Sequence, residues 1–187
     1  MYALEDAEPY LCAQCRQTPP VWDDFAFFGV YSGLLRDLIL EFKFNAHFAR
    51  RRVLRNLLQQ AFDLHFGQDG PQIIVPVPLH RHRLHQRGFN QSLEIARKLS
   101  HPSRARLRPL AVYRIRATPA QSGLDRKERL KNVRNAFWAQ KAMVQGQDVL
   151  LVDDVCTTGA TLTACTLALR RAKASRVRVL VLASAPG

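Results

Sequence analysis

The segment Val149-Leu-Leu-Val-Asp-Asp-Val-Cys-Thr-Thr-Gly-Ala-Thr-Leu162 restricts the folds open to this chain more than any other stretch. Val149–Val152 is a short, wholly apolar run, the pattern of a strand buried on both faces in a parallel sheet. It is expected to end at two carboxylates, Asp153 and Asp154. A Thr/Gly loop follows, and then a helix over Ala160–Lys173 with Leu162, Cys165, Leu169 and Ala172 on one side. Further strands are expected at Phe25–Tyr31, Gln72–Val77, Leu110–Ile115 and Arg176–Ala183. Helices are expected where Leu34, Leu35, Leu38, Ile39 and Phe42 share a face, and again where Val53, Leu54, Leu57, Leu58, Ala61, Phe62 and Phe66 do. Another helix starts near Asn90. Strand, helix and strand in repetition argue an α/β fold with a mainly parallel sheet.

In such a sheet, ligands bind beyond the carboxyl ends of the strands, where Asp153 and Asp154 emerge. The loop after them suits a phosphate. Successive backbone N–H groups at a helix start form an anion-binding concavity, Gly159 allows close approach, and Thr157, Thr158 and Thr161 add hydroxyl donors. The acids repel phosphate, but they accept hydrogen bonds from vicinal sugar hydroxyls and can help to hold Mg²⁺, directly or through water. A sugar bearing a 5-phosphate and free 2- and 3-hydroxyls satisfies both ends of the segment. The chain lacks the Lys of an ATP-type phosphate loop at this place.

Charge is concentrated in the middle of the chain. His80–Arg134 holds fifteen Lys or Arg against three acids, +12 of the total +13. Such a patch attracts polyanions, although a solvated surface would have the same composition. Its first part, His80–Gly88, reads as a basic loop in which Arg81, Arg83 and Arg87 can meet pyrophosphate. Strong single-strand binding is not expected, because only Phe89 and Tyr113 supply rings before Phe137. No apolar run reaches the length of a membrane span, so no membrane insertion is expected and the chain is read as cytoplasmic.

Val149–Leu162 resembles the binding motif of type I phosphoribosyltransferases. Pro76-Val-Pro-Leu79, Arg83 and Arg87-Gly-Phe-Asn-Gln91 resemble the ComF/GntX family within them, as does the spaced set Arg116, Thr118, Gln121, Leu124, Arg129, Asn132 and Phe137. The resemblance implies a type I phosphoribosyltransferase-like fold: a mainly parallel twisted sheet flanked by helices over 25–187, with a small N-terminal appendage over 1–24. It implies that Asp153 and Asp154 contact ribose hydroxyls, while Thr157, Thr158, Gly159, Ala160 and Thr161 cradle the 5-phosphate of phosphoribosyl pyrophosphate. It further implies a pyrophosphate loop with Arg81, Arg83 and Arg87, and a flexible loop carrying Arg116, Gln121 and Arg129. The implied cofactor is Mg²⁺. The implied activity is phosphoribosyl transfer, linked to DNA uptake in natural transformation; the alternative is a non-catalytic protein that binds single-stranded DNA or the competence machinery. Relatives of this family begin with a zinc module of two C-x-x-C pairs. Here Cys12 and Cys15 form one pair, which reads either as a zinc half-site or as two free thiols, and neither the acceptor nor a lone general base is identified.

Overall fold

The computed structural model describes residues 17, 19–45, 48–67, 69–99, 105–117, 132–133 and 135–185. Cys12, Cys15, Gln121 and Arg129 lie outside the described residues, as does most of 1–24. In chain order the elements are β1 (Asp24–Val30), α1 (Gly33–Asn45), α2 (Phe48–Phe66), β2 (Ile73–Pro76), α3 (Arg81–Arg87), α4 (Gln91–Ala96) and β3 (Arg106–Leu107). There follow β4 (Val112–Arg114), β5 (Phe137–Ala139), α5 (Lys141–Val144), β6 (Asp148–Cys156), α6 (Ala160–Arg171) and β7 (Arg176–Ser184).

The main sheet runs β1-β7-β6-β2-β3, and every pairing in it is parallel. Strand alternation divides its side chains between two cores. Leu150, Val152 and Leu180 pack with Ile39 and Phe42 of α1, Leu54, Leu58 and Phe62 of α2, and Ile95 of α4. Val149, Leu151, Val177 and Val179 pack with Leu162, Cys165 and Leu169 of α6. Each fully buried aliphatic or aromatic side chain contributes about 1.5–3 kcal/mol. Leu34 and Val53, expected to face inward, stand exposed, in the first turn of α1 and the second turn of α2.

Three expectations need correction. His80–Gly88 is mostly a helix rather than a loop: the His80 side chain accepts from the His82 amide at its start, and Gly88, at φ 74°, closes its end. Leu110–Ile115 does not join the parallel sheet. Its central residues form β4, which pairs antiparallel with β5 in a separate two-stranded sheet. Finally, β6 does not stop at the acids but runs through them to Cys156.

The reason is β7, which accompanies β6 as far as the pair Cys156–Ser184. On the other side, β2 gives out early. Its last paired residue is Pro76, opposite Val152, and the Val77 amide makes one further bond to the Val152 carbonyl at 2.9 Å. A proline cannot donate to the ladder, so β2 ends where Pro76 and Pro78 require it to. At the opposite end of the sheet, buried Arg178 donates to Asp148 Oδ2 at 2.5 Å, to Asp69 Oδ2 at 2.9 Å and to the Asp69 carbonyl, tying the loop after α2 to β6 and β7. Among the described residues, no helix is long and apolar enough to cross a membrane.

Candidate functional site

Because β6 continues through Asp153 and Asp154, the two carboxyl groups leave opposite faces of the strand. Asp154 lies on the face of Leu150 and Val152 and is buried. Its Oδ2 is 3.0 Å from Lys43 Nζ of α1. Asp153 Oδ1 accepts from the Ser92 hydroxyl of α4 at 2.7 Å and from the Asp154 amide at 2.9 Å. Burial works against the Lys43 charge, but Asp154, by charge and by hydrogen bond, and Asp153 outweigh it and raise Lys43 above its ordinary value. Enclosure of its carboxyl group, and then the Asp154 charge, push Asp153 up to about 7; Ser92, Lys43 and the Asp154 amide pull the other way. Two adjacent acids thus differ in role: one is held in an ion pair, and the other is poised near neutrality.

Past Cys156 the chain turns through Thr157, Thr158 and Gly159 into α6. Gly159 is the N-cap at φ 70°, ψ 1°, a left-handed conformation suited to glycine. A Cβ there would lie 3.2 Å from the Trp22 ring. No side chain caps this helix start. Asp153, Thr157, Thr158, Gly159, Ala160 and Thr161 line one small concavity of ≈ 60 Å³, with the amides of the first turn of α6 at its wall. The arrangement offers anion donors on one side and a sugar-hydroxyl acceptor on the other.

Helix α3 separates the three arginines expected to meet pyrophosphate. Arg83 and Arg87 are one turn apart and half-buried, whereas Arg81 is exposed. Burial pulls the Arg87 guanidinium below its ordinary value, Asp154 opposes this, and Arg83 adds to it. Arg114 of β4 is similarly lowered by burial and then by Arg83, with Cys165 and Asp153 opposing. Arg83, Arg87 and Arg114 therefore share an electrostatic neighbourhood with the acid pair. Arg81 instead lines a groove beside Arg97 and Trp138. Arg116 is exposed and donates to the Asn132 carbonyl at 2.9 Å.

Ser92 and Arg114 were missed as site residues. Asn90 caps α4, accepting from the Leu93 amide, so the Asn-Gln-Ser run at a helix start was the signal for Ser92. No local signal marks Arg114, since its place depends on β4 pairing with β5. Among the described residues, no group of three or more His, Cys, Asp or Glu could hold a metal ion. Cys156 and Cys165 are buried free thiols, and burial pushes Cys165 well above its ordinary value, so it is a packing group.

Comparison with known proteins adds to this geometry. The phosphoribosyl transferase domain family matches residues 55–187. Competence protein F of Haemophilus influenzae is 35% identical, over 93% of this chain and 78% of that protein. DNA utilization protein YhgH of Escherichia coli K12 is 36% identical, over 90% of this chain and 75% of that protein. Competence protein ComFC of Bacillus subtilis is 30% identical, over 71% of this chain and 52% of that protein. Among solved structures, glutamine phosphoribosylpyrophosphate amidotransferase of Bacillus subtilis, complexed with ADP and GMP, is similar at a TM-score of 0.44 and 21% identity. That match covers 70% of this chain and 25% of the other.

Proposed function

The chain belongs to the phosphoribosyl transferase domain family, on its ComF branch, and from that premise we propose that it binds phosphoribosyl pyrophosphate, or another ribose-5-phosphate ligand, and transfers the phosphoribosyl group to an acceptor. Its fold is the type I phosphoribosyltransferase-like α/β fold. The observation that carries the proposal is the single concavity uniting Asp153 with Thr157–Thr161 at the start of α6.

In this reading the first turn of α6 holds the 5-phosphate, and Asp153 and Asp154 accept from the ribose hydroxyls. Lys43 and Ser92 orient the two carboxyl groups. Arg83 and Arg87 face the pyrophosphate, whose growing charge as it departs needs fixed positive neighbours. Asp153 and Asp154 would help to hold a Mg²⁺ ion, directly or through water. Bound there, Mg²⁺ would offset the pyrophosphate charge. Catalysis would rest on positioning and charge, without a lone general base. A cytoplasmic setting is part of the proposal, since reduced thiols at Cys156 and Cys165 suit it.

Calorimetric titration of phosphoribosyl pyrophosphate with Mg²⁺ tests this reading. The Asp153→Asn/Asp154→Asn protein is expected to bind at least tenfold more weakly than the native chain. Equal affinity would remove the ribose assignment.

A second reading has the charge distribution behind it. The names of the relatives concern competence and DNA utilisation. A +12 stretch at His80–Arg134 suits single-stranded DNA, with or without turnover at the ribose site. The process in both readings is DNA uptake.

A further inference from the structure

We infer that the groove between α3–α4 and the β4–β5 hairpin is a track for single-stranded nucleic acid, with Trp138 as its base-stacking platform. The inference takes its ligand class from the second reading above and its position from this groove alone; it uses neither Asp153, Asp154 nor the Thr/Gly loop.

The groove has a volume of ≈ 880 Å³. Its hairpin wall is built by register. Tyr113 and Trp138 are cross-strand partners, and their rings lie 6.0 Å apart. Alternation sends Val112, Phe137 and Ala139 into the core and leaves Trp138 52% exposed. The Tyr113 hydroxyl accepts from Gln140 Nε2 at 2.6 Å, which fixes one ring of the pair before any ligand arrives. Counting aromatics along the basic stretch misses this platform, because Trp138 comes from the far side of the hairpin. Phe89 adds a third ring at the groove.

The opposite wall is basic. Arg81 and Arg97 line it, and Arg114 lines the groove from β4. The acid of the groove, Glu94, is already saturated. Its Oε2 lies 2.8 Å from Arg51 and 3.3 Å from Arg55, and its Oε1 3.2 Å from Arg97. Three guanidinium groups around one carboxylate leave that wall positive. A basic track facing exposed rings is the combination that single strands need, phosphates on one side and unpaired bases on the other. A duplex hides its base faces and gains only the charge.

The test is fluorescence anisotropy of a labelled oligothymidylate of about 15 nucleotides with the native chain, Trp138→Ala and Trp138→Phe, over a salt series. Trp138→Ala is expected to bind about tenfold more weakly, the scale of one lost base stack, and Trp138→Phe to stay near native affinity. Binding should weaken steeply with salt, and an unlabelled duplex should compete poorly. Titration of phosphoribosyl pyrophosphate should be unchanged in Trp138→Ala, so this inference and the ribose-site reading can fail separately. Native oligonucleotide affinity in Trp138→Ala overturns the inference, as does equal competition by duplex or no binding by the native chain. Should Trp138→Ala lose both ligands, Trp138→Phe decides: retained oligonucleotide affinity supports the platform, and loss overturns it.

Discussion

Lys43 Nζ lies 3.0 Å from Asp154 Oδ2, a pair in which the lysine side chain is 21% exposed and the carboxylate 10%. It joins α1 to the part of β6 that no longer has β2 beside it. Removing the ammonium leaves a buried carboxylate next to Asp153, an arrangement that costs several kcal/mol in a fully dry site and less here. Lys43→Met is therefore expected to destabilise the protein by about 2 kcal/mol at pH 8, and by less at pH 6, where the acid pair can hold a proton. Urea unfolding at the two pH values checks this; an equal loss at both would detach the effect from the carboxylates.

Asp153 has its own pH signature. Folded, it keeps its proton up to about 7, against an ordinary value of 3.8. Between those values the native state binds more protons than the unfolded chain. This group's contribution therefore favours folding fully below about pH 4 and is lost as pH rises through about 7. Asp153→Asn removes the charge and keeps an acceptor oxygen. The ligand-free variant should be more stable than the native protein at pH 8 by about 2–4 kcal/mol, and about equal to it near pH 4.

The same group links ligand binding to protons. Ribose hydroxyls donate to the ionised form, so affinity for phosphoribosyl pyrophosphate should rise with pH up to about 7 and then level off. Calorimetry in buffers of different protonation heat should find up to one proton released per ligand bound at pH 6, and about none at pH 8.5. The Asp153→Asn chain should show no such release from this group.

Gly159→Ala places a side chain at φ 70° and sets its Cβ 3.2 Å from the Trp22 ring. The backbone term alone costs about 1–2 kcal/mol. Thermal unfolding should show that loss. The affinity for inorganic phosphate should fall as well, since the cradle is built on this turn; unchanged phosphate affinity would separate the turn from the anion site.

At the other end of the sheet, Arg178 is 1% exposed and serves Asp148 and Asp69 together. Arg178→Met leaves the partly buried Asp148 without the cation that donates to it and is expected to cost about 2–3 kcal/mol, less than for a fully buried pair. Asp69→Asn, on the exposed side of the cluster, should cost far less. Comparable losses in the two variants would show that the cluster acts as a unit.

Much of the fold could be read locally. Val149–Val152 and the stripe from Leu54 to Phe66 declare their structure by period alone, because a buried strand and a one-faced helix need no distant partner to show their pattern. The Thr/Gly loop was legible for the same reason. Elsewhere the pattern was silent about partners. Arginines and histidines at 80–87 carry no apolar period, and α3 buries none of its residues, so nothing in that run distinguishes a capped helix from a loop. Leu110–Ile115 read as a strand, but its partner β5 lies beyond the basic stretch, and only the pairing reveals its direction. The acid pair was found as a motif, yet its division between Lys43 and Ser92 required knowing that β6 continues past it.

That continuation has a consequence for how Asp153 must be probed. Once β2 stops, the Asp154 amide has no neighbouring strand to receive it, and Asp153 Oδ1 accepts it instead. The carboxylate thus substitutes for a missing rung of the ladder while also facing the concavity. An alanine at 153 would remove scaffold and ligand contact in one step, whereas asparagine preserves the scaffold share. A sugar hydroxyl arriving at that oxygen competes with the main chain itself, so occupancy of the site and the geometry of the sheet's unfinished margin are two readings of one hydrogen bond.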